Sequence, residues 1–403
     1  MVNLLTGICV VDFTHVHAGP LCTYQLALMG AEIIKVEVPG TGDLMRGMGE
    51  QFEPGISPGY LGQNANKRSI VIDLKHESAK PVIGRLLRRA DVVVQNMRPG
   101  VAERLGIGPE DARAERDDIV YCAISGFGQT GPESDRAALD HLMQGESGMF
   151  HATGTPEEPV RVGYAAVDSA TAMVACSAIT SALLRRERTG LGALLDVSML
   201  ESAMAVMGLN YYNFLGLGRV GERVGRNPLA RAGSVGTFDT EDGIIMVNAN
   251  SYRLFERLAR AVGHADLLDD SRFSTPAAAA EHWEALRARF EAIFRTRSAE
   301  AWDRLLRDAG IPCGQVKDPH AVIASEQLAH RGTVATLEGV PGIPDGTLRF
   351  LGAGFTADGE PAVPNLPPPR LGEHTEEVLS KLEFTATEIR SLLAEGACEQ
   401  SER

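Results

Sequence analysis

The sequence predicts an α/β chain, with a doubly wound, mostly parallel sheet in a large domain and a smaller α+β domain beside it. Three observations predict this. Short runs of strand length alternate with helical stretches from residue 7 to residue 125. Several of the runs, GICVVDF, DVVVQ and DIVYCAIS, are apolar almost throughout, as expected of strands buried on both faces. A basic, Gly-rich stretch at residues 216–228, GLGRVGERVGRNP, then interrupts the chain, and a hairpin pattern with three amphipathic helices follows it.

Taken in order, a first strand is expected at residues 7–13 and a helix at 21–29, closed by Gly30. A second strand at 31–36 completes a strand–helix–strand unit, which implies a right-handed crossover. Strands follow at 69–74, 91–95 and 118–125, with an amphipathic helix at 77–89. Ligands of such sheets bind beyond the carboxyl ends of the strands, and the loops there carry His17, Asn96, Arg98 and Ser125. A sixth strand is expected near 196–198, then a long helix over 199–215. The divisions expected are 1–225 for the first part of the large domain, 226–325 for the small domain, and 326–403 for a segment that returns to complete the large one.

Residues 161–184 hold the centre of the functional reading. The stretch TAMVACSAITSALL (residues 171–184) is almost uncharged and rich in small residues, so it reads as a closely packed buried helix. Asp168 and Ser169 stand where its N-cap is expected. Free amides and the helix dipole there favour an ionised Asp168. Such a carboxylate is either a plain cap or a nucleophile, and the local sequence leaves both open.

Composition excludes several classes. A formal net charge of −14 argues against nucleic acid and anionic membranes as partners. The six cysteines form no C-x-x-C pair and mostly sit among apolar residues, which suggests free thiols in a reducing cytoplasm. The start, MVNLLTGICVVDF, lacks the basic region of a secretory leader, and no apolar run approaches the roughly 20 residues of a membrane span. Two G-x-G-x-x-G matches, at 216–221 and 126–131, lack the strand–loop–helix context and acidic residue of a nicotinamide or flavin site. The second reads instead as a glycine loop whose amides face a ligand. No phosphate-loop motif is present, and Ser125, Ser147 and Ser198 lack a nucleophile elbow. His15 and His17 have no third ligand at suitable spacing, so a metal is not expected and the two rings are read as facing opposite ways. His141, beside Asp140, reads as structural. Basic residues Arg46, Lys67, Arg68, Lys75, Arg98 and Arg104 cluster at strand ends, where they are either a solvated surface or a phosphate-binding patch.

The chain resembles the class III CoA-transferases, the CaiB/BaiF family, typified by formyl-CoA transferase. The matching pieces are residues 11–20 (VDFTHVHAGP), 34–37 (IKVE), 41–43 (TGD), 66–69 (NKRS), 96–100 (NMRPG), 125–132, 162–168 and 371–375 (LGEHT). The resemblance implies a Rossmann-like large domain built from both ends of the chain and an interlocked homodimer. It implies an acyl-CoA and a carboxylic acid as substrates, with no permanently bound cofactor. Asp168 matches the catalytic aspartate. CoA contacts carry over to His17, Ala18, Ile72, Asp73, Lys75, Asn96, Met97, Arg98 and Arg104, and to Arg136, Leu139 and Asp140. The expected chemistry passes CoA through an aspartyl mixed anhydride and an aspartyl-CoA thioester, with oxyanions held by amides of residues 126–131.

The chain departs from the pattern at several points. His17 stands in place of a Gln, and Val38 and Ala137 in place of an Arg and a Lys. Arg46 and Arg136 are the expected substitutes for the lost cations. The family's active-site glycine run has no match near residues 225–236. The alternatives are an acyl-CoA racemase or epimerase of the same family, a non-catalytic CoA-binding paralogue, and an NAD-type oxidoreductase. The racemase histidine would fall at Leu139, which cannot carry a proton.

Overall fold

The computed structural model describes residues 2–226 and 232–401. Asn227 and Pro228, at the end of the expected linker, lie outside them, as does part of 225–236. The chain divides into two compact units. The first comprises Met1–Met149, Arg161–Arg219 and Glu326–Arg403, and the second Phe150–Val160 and Val220–Ser325. The expected 1–225 block is therefore interrupted, because residues 150–160 pack with the second unit. Gly225 N donates to Gly154 O and the Arg223 guanidinium donates to Thr155 O.

The first unit is built on a seven-stranded sheet. Its parallel strands are β1 (Cys9–Asp12), β2 (Glu32–Glu37), β3 (Lys67–Ile72), β4 (Val92–Gln95), β5 (Val120–Ser125) and β6 (Ala193–Ser198). They lie in the order β3-β2-β1-β4-β5-β6, with Cys9 opposite Glu32 and Val10 opposite Val92. The order reverses between β1 and β4, the switch point where a crevice opens above the carboxyl ends. A short strand, Cys398–Glu399, adds antiparallel to β3. Two residues give no pattern to read, so the sequence did not announce it.

Apolar side chains leave the sheet on both faces. Val11, Ile34, Ile70 and Val93 pack under helices that include Lys80–Arg89 and Thr375–Lys381. Val10, Ile33, Val94 and Cys122 pack under Ala18–Leu28 and Ala166–Thr189. The latter helix is long and apolar enough to cross a membrane by length and composition. Its Ala172, Ala175, Ile179 and Leu183 instead lie in this core. The first helix begins at Ala18, three residues before the expected start. The long helix expected over 199–215 is two, Met199–Val206 and Gly208–Leu217, separated at Met207.

The second unit has its own core. Strands Val235–Asp239, Ile244–Asn248 and Cys313–Gln315 form an antiparallel sheet. Phe238, Phe255, Phe290, Phe294 and Trp302 fill the space beneath it. The Trp302 indole N–H donates to Phe294 O at 2.8 Å, which satisfies its polar end.

Candidate active site

A cavity of about 620 Å³ opens at the switch point of the first unit. Its walls come from the loop after β1 (His15, Val16, His17, Ala18), the turn after β4 (Asn96, Met97, Arg98, Pro99) and the end of β5 (Ile124, Ser125, Gly126). Residues 136–140, Asp168, Met199, Val38, Gly42 and Leu44 complete it. His15 and His17 both border this space, but the charges around the His15 ring are those of Lys35 and Asp43, and the charge beside the His17 ring is that of Asp140. Among the described residues no group of three or more His, Cys, Asp or Glu is placed to hold a metal.

The loop after β1 has its backbone held by side chains. Thr14 N and its hydroxyl both donate to Asp12 Oδ1. Lys35 Nζ donates to Thr14 O at 2.9 Å. Asn96 forms a reciprocal pair with His15, accepting from His15 N at 2.9 Å and donating to His15 O at 2.8 Å. Val16 N donates to Asp43 Oδ1 at 2.9 Å. The Ala18–Leu28 helix then starts without a side-chain cap, and its first residue, Ala18, borders the cavity. Gly19 is required there, since a Cβ would stand 2.3 Å from that of Thr14.

Asp168 reaches the cavity from the first turn of Ala166–Thr189, two residues after the helix begins. It is not the cap. Asp140, 28 residues earlier, takes that role: its Oδ1 accepts from Val167 N at 2.8 Å and Asp168 N at 3.0 Å. Gln144 holds the other Asp140 oxygen at 2.7 Å. The expectation of a fully ionised Asp168 is corrected with it. Partial burial, and then the neighbouring Asp140 carboxylate, raise its carboxyl to about 7. A carboxylate released from capping is also free to react. His17 lies across from this turn, with Nε2 3.5 Å from Ser169 Oγ. Ser169 gives its own proton to Ala165 O, so that contact needs hydrogen on Nε2. Burial lowers the His17 pKa, with Asp140 opposing, which favours the neutral ring.

Of the predicted site residues, His17, Ala18, Asn96, Met97, Arg98, Arg136, Leu139, Asp140 and Asp168 line this one cavity. Ile72, Asp73, Lys75 and Arg104 do not. Ile72 is fully buried in the sheet, while Lys75 and Arg104 are exposed. Arg104 lies beside the turn after β4, with Nη1 3.2 Å from where a Cβ on Gly100 would stand. Arg136 is exposed on the rim, paired with Glu133 and Glu146 and stacked over Phe127.

Two expectations fail. Arg46 is no free cation: it is buried, bound to Glu37 through two bonds of 2.8 Å and stacked on Tyr60. The glycine loop is not an open set of donors either. Gly128 N is bound to Ser125 Oγ and Gln129 N to Asp196. Gly126 alone of that loop borders the cavity, and a Cβ there would meet Ala138 at 2.3 Å. Sequence reasoning quoted Asp43 only within the matching piece TGD and gave it no role in the site, yet its carboxylate accepts from Val16 N. The charges at alternate positions of the apolar strand EIIKVE were the available signal: Lys35 and Glu37 face one side and must have buried partners.

A doubly wound sheet with a carboxyl group at its switch-point cavity defines the class in general terms. The family model for CoA-transferase family III matches residues 5–375, and the chain belongs to that family. It is 33% identical over 407 residues to succinyl-CoA:glutarate CoA-transferase of Mus musculus, covering 99% of this chain and 91% of that protein. It is 33% identical to succinate–glutarate CoA-transferase of Agrobacterium fabrum, over 94% of this chain and 96% of the relative. A CaiB/BaiF family protein from Brucella suis, solved by crystallography, superposes with a TM-score of 0.86 at 29% identity, covering 95% of this chain and all of that one. The protein is accordingly a family III CoA-transferase.

Proposed function

We propose that the chain moves CoA between an acyl-CoA and a carboxylic acid through covalent intermediates on Asp168. The Asp168 carboxylate attacks the thioester carbonyl carbon, and the C–S bond breaks to leave a mixed anhydride and CoA thiolate. The thiolate attacks the Asp168 carbonyl, the anhydride C–O bond breaks, and the first acid departs as its carboxylate. The acceptor carboxylate then attacks the aspartyl thioester and displaces thiolate, which attacks the acceptor's acyl carbon and frees Asp168. No proton is consumed overall, and each step exchanges activated acyl groups.

The observation that carries this reading is Asp168 itself: a cavity-facing carboxyl on a buried helix, relieved of capping by Asp140. The open start of Ala18–Leu28 is the better candidate for oxyanion donors than residues 126–131. Arg98 and Arg136 supply positive charge at the cavity for the anionic CoA, with Lys75 and Arg104 beyond it. The names of the relatives, acting on succinyl-CoA with glutarate, D-citramalate among them, favour short dicarboxylic acids as the exchanged pair.

The functional unit in this reading is a homodimer with interlocked chains. Gly208–Leu217 has no buried residue and exposes Leu209, Tyr212, Leu215 and Leu217, an apolar helix suited to a second copy. The free cysteines fit a cytoplasmic setting. The test is a panel of acyl-CoA donors against mono- and dicarboxylic acids, read by mass spectrometry, with Asp168→Ala in parallel. Asp168→Ala is expected to lower transfer by about 10³-fold or more. Retention of full activity would remove Asp168 from the mechanism. Deuterium entering the α-carbon without transfer would favour the racemase.

A further inference from the structure

Beneath the cavity lies a cluster of charges that the reaction scheme does not use. It consists of three acids and three bases in three pairs. Asp12 meets Lys67 at 3.1 Å, Lys35 meets Asp43 at 2.8 Å, and Glu37 meets Arg46 at 2.8 Å. The side chains of five are completely buried, and that of Arg46 nearly so. Burying such charges is costly, and apolar residues of similar volume often serve stability as well. Retaining them therefore calls for a geometric reason, and their hydrogen bonds supply one.

The cluster touches the active-site loop at two points. Asp12 and Lys35 fix the two ends of the Thr14 backbone. Asp43 fixes the next critical amide, that of Val16. Val16 has a φ of 70°, in the left-handed region. A β-branched residue is strained there and stays only when its surroundings hold it. Asp43 Oδ1 accepts from Val16 N and Met45 N, both at 2.9 Å, while Oδ2 faces Lys35 Nζ. Its own amide is bound to Glu37 Oε1 at 2.9 Å. The carboxylate is therefore locked from three directions and has no freedom to follow Val16 if the loop relaxes. Val16, His17 and Ala18 are consecutive walls of the cavity, and His17 is also where the Ala18–Leu28 helix begins. The φ of Val16 thus sets the direction of the His17 ring and of the helix's first amides.

We propose that Asp43 is a positioning residue for CoA transfer: anchored by Lys35, it holds Val16 in its left-handed conformation and so aims His17 and the open helix start at the reacting carbonyl. This rests on the cavity being the reaction site. Asp43 touches no substrate, and its effect passes through Val16.

The test is a double-mutant cycle in the full chain with Asp43→Asn, whose amide Nδ2 would meet Lys35 Nζ donor to donor and so lose the anchor that holds Oδ1 under Val16 N, with Val16→Gly, and with both together. Succinyl-CoA and glutarate serve as substrates, or the most active pair of the panel. Measured are kcat, KM, CoA affinity by calorimetry and the thermal midpoint. Each single substitution is expected to lower kcat about tenfold or more, with CoA affinity within about threefold of the parent. Glycine tolerates this φ, so Val16→Gly is expected to keep the parent's thermal midpoint. Once the loop is released, losing Asp43 should add little, and the double variant should lie within about twofold of the worse single variant. Penalties that multiply, or Val16→Gly with kcat within about twofold of the parent, would overturn the proposal. If Asp43→Asn does not fold, the kcat of Val16→Gly alone decides. Asp168→Ala is assayed alongside: activity retained there would show that the site is wrong, whichever way Asp43 behaves.

Discussion

The two sides of the cavity are built on opposite principles. The loop after β1 rests on paired buried charges, and side chains hold its backbone from Thr14 to Val16. The rim at residues 134–140 is largely exposed, and its one cation, Arg136, is tied only to exposed Glu133 and Glu146. Under the proposed reaction, the contrast would give precision to one side and accommodation to the other. A reacting carbonyl must be met by donors fixed before it arrives, whereas a long, flexible CoA chain can be gripped by adjustable surface cations.

The sharpest way to break this comparison is to cut one charge from each side. Asp12→Asn leaves Lys67 buried without its charge partner and is expected to cost about 3–5 kcal/mol of unfolding free energy, measured by urea titration. Arg136→Ala removes exposed ion pairs and is expected to leave the urea midpoint nearly where it is in the parent. Its effect should fall on KM for acyl-CoA, raised about three- to tenfold with kcat little changed. Equal stability losses for the two variants would erase the distinction.

A finer test concerns Asp140, where the two sides meet. In the proposed reaction Asp168 acts as a carboxylate, and its pKa is raised to about 7 by burial and by Asp140. The rate of the acyl-CoA half-reaction should therefore climb with pH up to about 7 and level off above it. Asn at position 140 can still accept both helix amides through its Oδ1 but carries no charge. Asp140→Asn is expected to move the acidic limb of the profile to lower pH, as less repulsion opposes ionisation. An unmoved or raised limb would show that Asp140 does not tune Asp168.

Much of this arrangement was legible in the residues. The apolar runs around Val10, Val93 and Tyr121 marked buried parallel strands, and the small, uncharged stretch after Asp168 marked the core helix, because periodicity and composition are local properties. What escaped depends on contacts distant in sequence. Asp140 caps a helix 28 residues away, and no spacing rule connects the two. Arg46 reads as a loop cation in the sequence because its partner Glu37 lies nine residues away on a strand. The amides of Gly128 and Gln129 looked available because Asp196, which binds one of them, belongs to β6. In each case the residue was noticed and its pairing was not.

The central claim is that CoA becomes covalently attached to Asp168. Incubating the protein with succinyl-CoA and no acceptor, quenching in acid and mapping peptides by mass spectrometry tests it directly. The account predicts a CoA adduct on the peptide containing Asp168, converted by hydroxylamine to a hydroxamate and absent from Asp168→Ala. Turnover by the parent protein with no adduct at Asp168, or an adduct on another residue, would contradict it.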